Sequence, residues 1–319
     1  LHESRERGTG YDGKLNPHIQ NPVLLGGVHG NEKTLPDELD RLLKYNEEIG
    51  QYKLDSTKGY VNHKVNTPAL SMGVRSYSTA ESRVSEDADM NRSEISDIET
   101  ERIKEVTLAQ IAGLEKPFVL DMHNDDKNEK PYAAFAVPVG FSPDQPINES
   151  LLFKIKLAKE LGLKDFVMVD PEFAEGTMVG SAKQRNPNAD GMIIEVPSND
   201  RGHMSAKIAL KYLSLSGAVN EGKPSVPLRL EHTLNDSFLD VSEDSEIEIA
   251  YYKVNKDVDE NLHPKTQIPG REYMIRDGVP VEVQRLKIQN GSFVSNLEKS
   301  KQQETEEKIK NLKDEIGRM

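Results

Sequence analysis

The chain has 319 residues and no cysteine, and its 41 basic against 54 acidic residues leave a formal charge of −13. That balance repels phosphate backbones and anionic membrane surfaces, so no nucleic acid and no membrane partner is expected, and the lack of cysteine removes disulfides, thiolate metal sites and a cysteine nucleophile. Charged residues are 30% and hydrophobic residues 35% of the chain, but the apolar ones gather in short runs, so a folded protein of up to two domains with a charged surface is expected.

The first residues, Leu1-His2-Glu3-Ser4-Arg5, lack both an initiator Met and an apolar signal core, and read as a trimmed beginning. Gly8, Gly10 and Gly13 spell a dinucleotide-binding pattern, but no strand precedes them and no helical pattern follows. An apolar strand is expected over 22–25, then a helix over 35–45 with Leu39, Leu42 and Leu43 at helical spacing, and another over 95–111 carrying Ile103, Val106 and Ile111. Strands over 117–120 and 133–139 are followed by a helix over 151–161, strands over 166–169 and 192–196, and a helix over 205–215. This alternation is the pattern of an α/β domain: a mixed, mostly parallel sheet with flanking helices over residues 1–217.

Gly222, Pro224 and Pro227 place a boundary near residue 217. Beyond it, 247–249 and 279–283 alternate as strands, with turn signals at Asp277-Gly278 and Asn290-Gly291, so a smaller β-rich domain is expected over 218–296. In the charged tail, 297–319, Ile309, Leu312 and Ile316 line one side of an amphipathic helix suited to the body or, in a homo-oligomer, to a partner subunit. The longest apolar stretch, 133–141, falls well short of the roughly 18–20 residues that span a bilayer, so a cytoplasmic protein without a transmembrane helix is expected.

The chain has no G-x-S-x-G elbow, no phosphate-binding loop and no H-E-x-x-H helix. Its informative feature is ionisable residues at the carboxyl ends of three apolar strands. The first runs into Gly26-Gly27-Val28-His29-Gly30-Asn31-Glu32, the second into Asp121-Met122-His123-Asn124, and the third into Glu195-Val196-Pro197. In an open α/β sheet that edge is where ligand crevices form, so the three ends can converge. Singly, each histidine reads as an ordinary loop residue; together with a carboxylate that two isoleucines precede, they read as a site. His29, Glu32 and His123 make a two-histidine, one-carboxylate set with an open coordination position, which suits one catalytic Zn2+ ion.

Four ordered motifs, Gly26 to Glu32, Asp89-Met90-Asn91-Arg92, Asp121-Met122-His123-Asn124 and Ile194-Glu195-Val196, resemble those of the aspartoacylase and succinylglutamate desuccinylase family, a branch of the zinc carboxypeptidase-like fold. The resemblance covers residues 22 to about 215. It implies a zinc ion on His29, Glu32 and His123, with Glu195 as the general base that activates water. It also implies that Asn91 and Arg92 grip a substrate carboxylate. A carbonyl-polarising arginine is expected shortly before the Asp-x-Asn-Arg motif; Arg83, six residues before Asp89, is preferred to Arg75, fourteen before it. Arg185, ten residues before Glu195, matches a further carboxylate-binding arginine. Three departures stand out: Asn66-Thr67-Pro68-Ala69 is shifted from its usual place, Pro197-Ser198 follows the Glu-Val pair, and Phe293 stands where a substrate-contacting tyrosine is expected, leaving Tyr251, Tyr252 or Tyr273 to replace it. The implied activity is hydrolysis of the amide bond of a small, carboxylate-bearing N-acyl amino acid. The alternatives are a metallocarboxypeptidase acting on peptides and a non-enzymatic metal-binding module.

Overall fold

The computed structural model describes residues 20–48, 52–54, 59–72, 75–76, 89–92, 95, 97–125, 130–197, 203–216, 218–221, 247–254, 272–276, 279–289 and 292–295. In chain order its elements are β1 (Asn21–Gly26), α1 (Thr34–Glu48), β2 (Tyr52–Leu54), β3 (Tyr60–Asn62), α2 (Thr67–Met72), α3 (Ile98–Ala112), β4 (Pro117–Asp125), β5 (Tyr132–Ala136), α4 (Glu149–Glu160), β6 (Asp165–Val169), α5 (Pro171–Ala174), α6 (Met178–Arg185), β7 (Asp190–Pro197), α7 (His203–Leu215), β8 (Val219–Glu221), β9 (Ile247–Val254), β10 (Glu272–Arg276), β11 (Val279–Gln289) and β12 (Ser292–Ser295).

The apolar runs form one mixed sheet in the order β10-β11-β9-β6-β5-β7-β4-β1-β3, with β12 added on β11; β2 and β8 pair separately. β3, β1, β4 and β7 run parallel, β5 lies antiparallel to β7, and β6 and β9 follow the direction of β5. Side chains alternate between faces along each strand. Leu24, Leu120, Met122, Met192 and Ile194 therefore enter one core cluster, and Val23, Leu25 and Val119 enter another, with Leu108 and Ile111 of α3 and Met178 and Ala182 of α6. Each large side chain so buried contributes about 1.5–3 kcal/mol relative to exposure. Capping sets where the flanking helices begin: Asp97 accepts from Thr100 N, Asn148 from Leu151 N and Thr177 Oγ1 from Gly180 N.

The break expected near residue 217 is not a break in the sheet. β9 pairs with β6 along Phe166 to Val169, and its Ile249 and Tyr251 are buried in the same cluster as Phe166 and Met168. An apolar β6 edge would otherwise be left open, and the strands of the 218–296 segment cover it. The expected helix over 297–319, like the glycines of 8–13, lies outside the described residues. No helix among the described residues is long and apolar enough to cross a membrane.

β1 ends in a turn that needs Gly27. Its φ of +63° is left-handed, and a Cβ there would sit 2.8 Å from Leu70 Cδ1 and 3.2 Å from the His63 carbonyl oxygen. Gly27→Ala should therefore destabilise the fold by about 1–3 kcal/mol. Thermal unfolding checks this, and an unchanged midpoint would show that the turn does not require glycine.

Candidate metal centre

The chain leaves β1 through Gly27, and backbone bonds from Val65 N to Gly26 O and Asn66 N to Gly27 O hold the turn in place. Gly30 N donates to the Arg75 carbonyl and Glu32 N to the His29 carbonyl, a tight turn that aims both side chains back at the sheet. His29 and Glu32 are each only 4% exposed. His123 comes from β4, in register with Glu195 of β7, and Tyr132 of β5 faces Glu195 from the other side. Residues paired across neighbouring strands share a face, so His123, Glu195 and Tyr132 form a row at the carboxyl ends of β4 and β7.

The two imidazoles converge on one carboxylate. His29 Nδ1 lies 2.8 Å from Glu32 Oε1 and His123 Nδ1 lies 3.1 Å from Glu32 Oε2, while the ring centroids are 4.9 Å apart. Each opposite ring nitrogen meets a second carboxylate. His29 Nε2 donates to Asp89 Oδ1 at 3.0 Å, and His123 Nε2 lies 3.0 Å from Asp121 Oδ2. The second approach is a charge contact without hydrogen-bond alignment, so both oxygens of the fully buried Asp121 lack a hydrogen-bond donor among the described residues. Asn91 Nδ2 is also 3.1 Å from His123 Nε2.

Burial opposes every charge here, yet the mutual attraction wins. Desolvation alone would lower both imidazole pKa values; Glu32 and Asp89 raise that of His29, and Asp121 and Glu32 raise that of His123 well above 6.5. Burial would likewise raise the Glu32 carboxyl, but the two histidines hold it down at about 2. Asp89 is also lowered: against desolvation stand His29, the Asn91 N–H and Arg75.

Asp89 and Asp121, to which the sequence motifs assign no role, stand behind the two imidazoles. Asp89 accepts from His29, from Asn91 N at 2.9 Å and from Arg75 at 3.1 Å, with Arg92 4.0 Å away. For Asp121 the legible signal was its place two residues before His123 on one strand, hence on one face. Asn91 is engaged twice, as its Oδ1 also accepts from Met178 N at the start of α6. Arg75 reaches the cluster through Asp89, whereas Arg83 lies outside the described residues. Arg185 is not brought to the cluster; it donates to Glu105 of α3. α6 turns its first residue toward Asn91, and Arg185 at its other end is about 10 Å away along the axis.

The expected tyrosine replacements fare differently. Tyr251 pairs with Met168 on the sheet face opposite Glu195 and donates to Asp170 Oδ1 at 2.5 Å. Tyr252 shares the site's face but pairs with Val169, four residues or about 13 Å along β6 from the position level with Tyr132. The Tyr273 side chain is outside the described residues, and Phe293 is buried against Phe141.

The donor set fits a zinc ion. One ligand atom each from His29, Glu32 and His123 lie within 4.8 Å of one another, and both outer ring nitrogens have carboxylates to hold them, as metal-bound histidines require. No family model and no curated relative matches the chain. Among solved structures it is similar to the succinylglutamate desuccinylase of Chromobacterium violaceum, at 15% identity over 83% of this chain and 85% of that one with a TM-score of 0.48. It is also similar to that of Vibrio parahaemolyticus, at 11% identity over 89% and 87% with a TM-score of 0.49, and to murine aminoacylase 3, at 14% over 89% and 100% with a TM-score of 0.44. Likenesses this distant leave the chemistry to be read from the site's own residues.

Zinc binding should displace the Nδ1 protons of two histidines whose pKa values are raised, so affinity should climb as pH rises above 6.5. Stability of the metal-free chain should run the other way: the histidine contribution is present below 6.5 and lost as pH rises, while the Glu32 contribution is present above 4.5 and lost on acidification toward about 2. Calorimetry in two buffers of different ionisation enthalpy counts the released protons, and none released would contradict the assignment. His29→Ala should abolish stoichiometric zinc on metal analysis; a full equivalent retained would remove His29 from the ligand set.

Proposed function

We propose that the chain is a zinc-dependent hydrolase that cleaves the amide bond of small N-acyl amino acids. The observation that carries this reading is the union of a metal-competent cluster, His29, Glu32 and His123, with a carboxylate, Glu195, in register beside His123. A structural metal site would have no use for that second carboxylate. Zinc bound there would supply Lewis acidity, lowering the pKa of water and polarising a carbonyl.

The chain's own residues would divide the remaining work. Glu195, half-buried at the end of β7, takes the proton of the attacking water and returns it to the leaving nitrogen. Asp89 and Asp121 orient the imidazoles and keep their Nδ1 lone pairs turned toward Glu32. Asn91, whose Nδ2 lies 3.1 Å from His123 Nε2, stands beside that ring with amide N–H donors suited to a substrate carboxylate. Arg75, half exposed and held by Asp89, is placed to stabilise the developing oxyanion, the role for which Arg83 is the alternative. Arg92, 42% exposed, presents the guanidinium fork that suits a substrate carboxylate. The net charge of −13 opposes acidic substrates at long range, but screening beyond about 8 Å lets these local arginines decide.

Glu195→Gln should keep its zinc and lose activity by about 10²–10⁴, the value of a general base. A fully active Gln variant would move that role elsewhere. For Arg92→Lys, kcat/KM should fall much more for an N-acyl amino acid than for the matching carboxamide. Equal losses on both would show that Arg92 does not read the carboxylate.

A further inference from the structure

α3 buries Thr100, Lys104, Thr107, Leu108 and Ile111 along one face. In that stripe Lys104 is the anomaly. It is 7% exposed, on a helix face whose other buried side chains are uncharged. Removing an ammonium from water costs several kcal/mol unless its donors are met. Here they are met by two loop carbonyls: Nζ donates to Arg92 O at 2.9 Å and to Gly176 O at 3.0 Å.

The first carbonyl belongs to the turn that carries Asn91 and Arg92, and the second to a turn that holds Asn91 from the other side. The first turn, Asp89 to Arg92, closes on itself through Arg92 N to Asp89 O at 3.1 Å. The second leads into α6, and Met178 N donates across to Asn91 Oδ1 at 3.0 Å. Lys104 is thus the third corner of a triangle joining α3 to both turns. Burial lowers the ammonium pKa to about 8, against the attraction of Asp89 and Glu105. No step of the proposed chemistry uses this amine.

We propose that Lys104 is a positioning residue that sets where the Asn91 amide and the Arg92 guanidinium stand, and so governs recognition of the substrate carboxylate without touching it. This inference rests on the hydrolase reading above. Its variants are Lys104→Met, which keeps the stem and removes both donors, and Lys104→Gln, which keeps an N–H for one carbonyl and gives the same comparison should the Met protein fail to fold. Zinc content should be unchanged in both. In Lys104→Met, kcat/KM for an N-acyl amino acid should fall about tenfold or more, chiefly through KM, with a loss under about threefold for the matching carboxamide; Gln should recover part of the difference. Equal losses on the two substrates would overturn the inference, because a merely structural lysine would affect both alike. Amide exchange at Met178, whose N–H is held by Asn91, reads the turn without any substrate and should quicken about tenfold in Lys104→Met. Unchanged exchange overturns the positioning role. Quickened exchange in a protein whose wild type cleaves neither substrate supports the role and overturns the hydrolase reading instead.

Discussion

The Glu32 carboxylate, shut away from water between two imidazole Nδ1 atoms, is the contact on which the rest of the site is arranged. A lone buried carboxylate would cost several kcal/mol, and the same holds for Asp89 and Asp121 behind the rings. Alternation of sign makes the cluster tolerable: an anion at the centre, two imidazoles around it, and two anions outside them. Exchanging the two Nδ1 protons for one divalent cation leaves that balance unchanged. On the outer side Asp89 accepts the His29 Nε2 proton, and the charge of Asp121 faces His123.

The sheet meets this constraint at a place where its direction changes. β1, β4 and β7 run parallel and deliver His29, His123 and Glu195 to one edge, and β5 then reverses, bringing Tyr132 in from the opposite direction. α6 offers its first N–H to Asn91, and α3 sends Lys104 between the turns, so the loops of the site are fastened to regular elements rather than to one another alone.

Asp89 shows how densely the parts are coupled. One buried carboxylate receives His29, the Asn91 backbone and Arg75, so the orientation of a metal ligand and the placement of an arginine depend on the same two oxygens. A change at any of these partners would be felt at the others, and their energetic effects should not add. Arg185, by contrast, is spent on Glu105 at the other end of α6, a separation that follows from helix length.

By itself the sequence determined the strands that end at the site, because apolar runs at 22–25, 117–120 and 192–196 needed no partner to be read, and it singled out the cluster able to hold a metal, because His29 and Glu32 lie three residues apart in one loop and His123 follows a strand. It left open what depends on contacts between distant segments. The register that sets Glu195 beside His123, the register through β5 and β6 that puts Tyr251 on the other face, and the joining of β9 to β6 across the expected boundary all arise from strand pairing, which local periodicity does not encode. The same is true of the buried charges. Asp89 and Lys104 look like surface residues in a chain that is 30% charged, and only the tertiary structure, by withdrawing water from them, makes each one answerable to a specific partner.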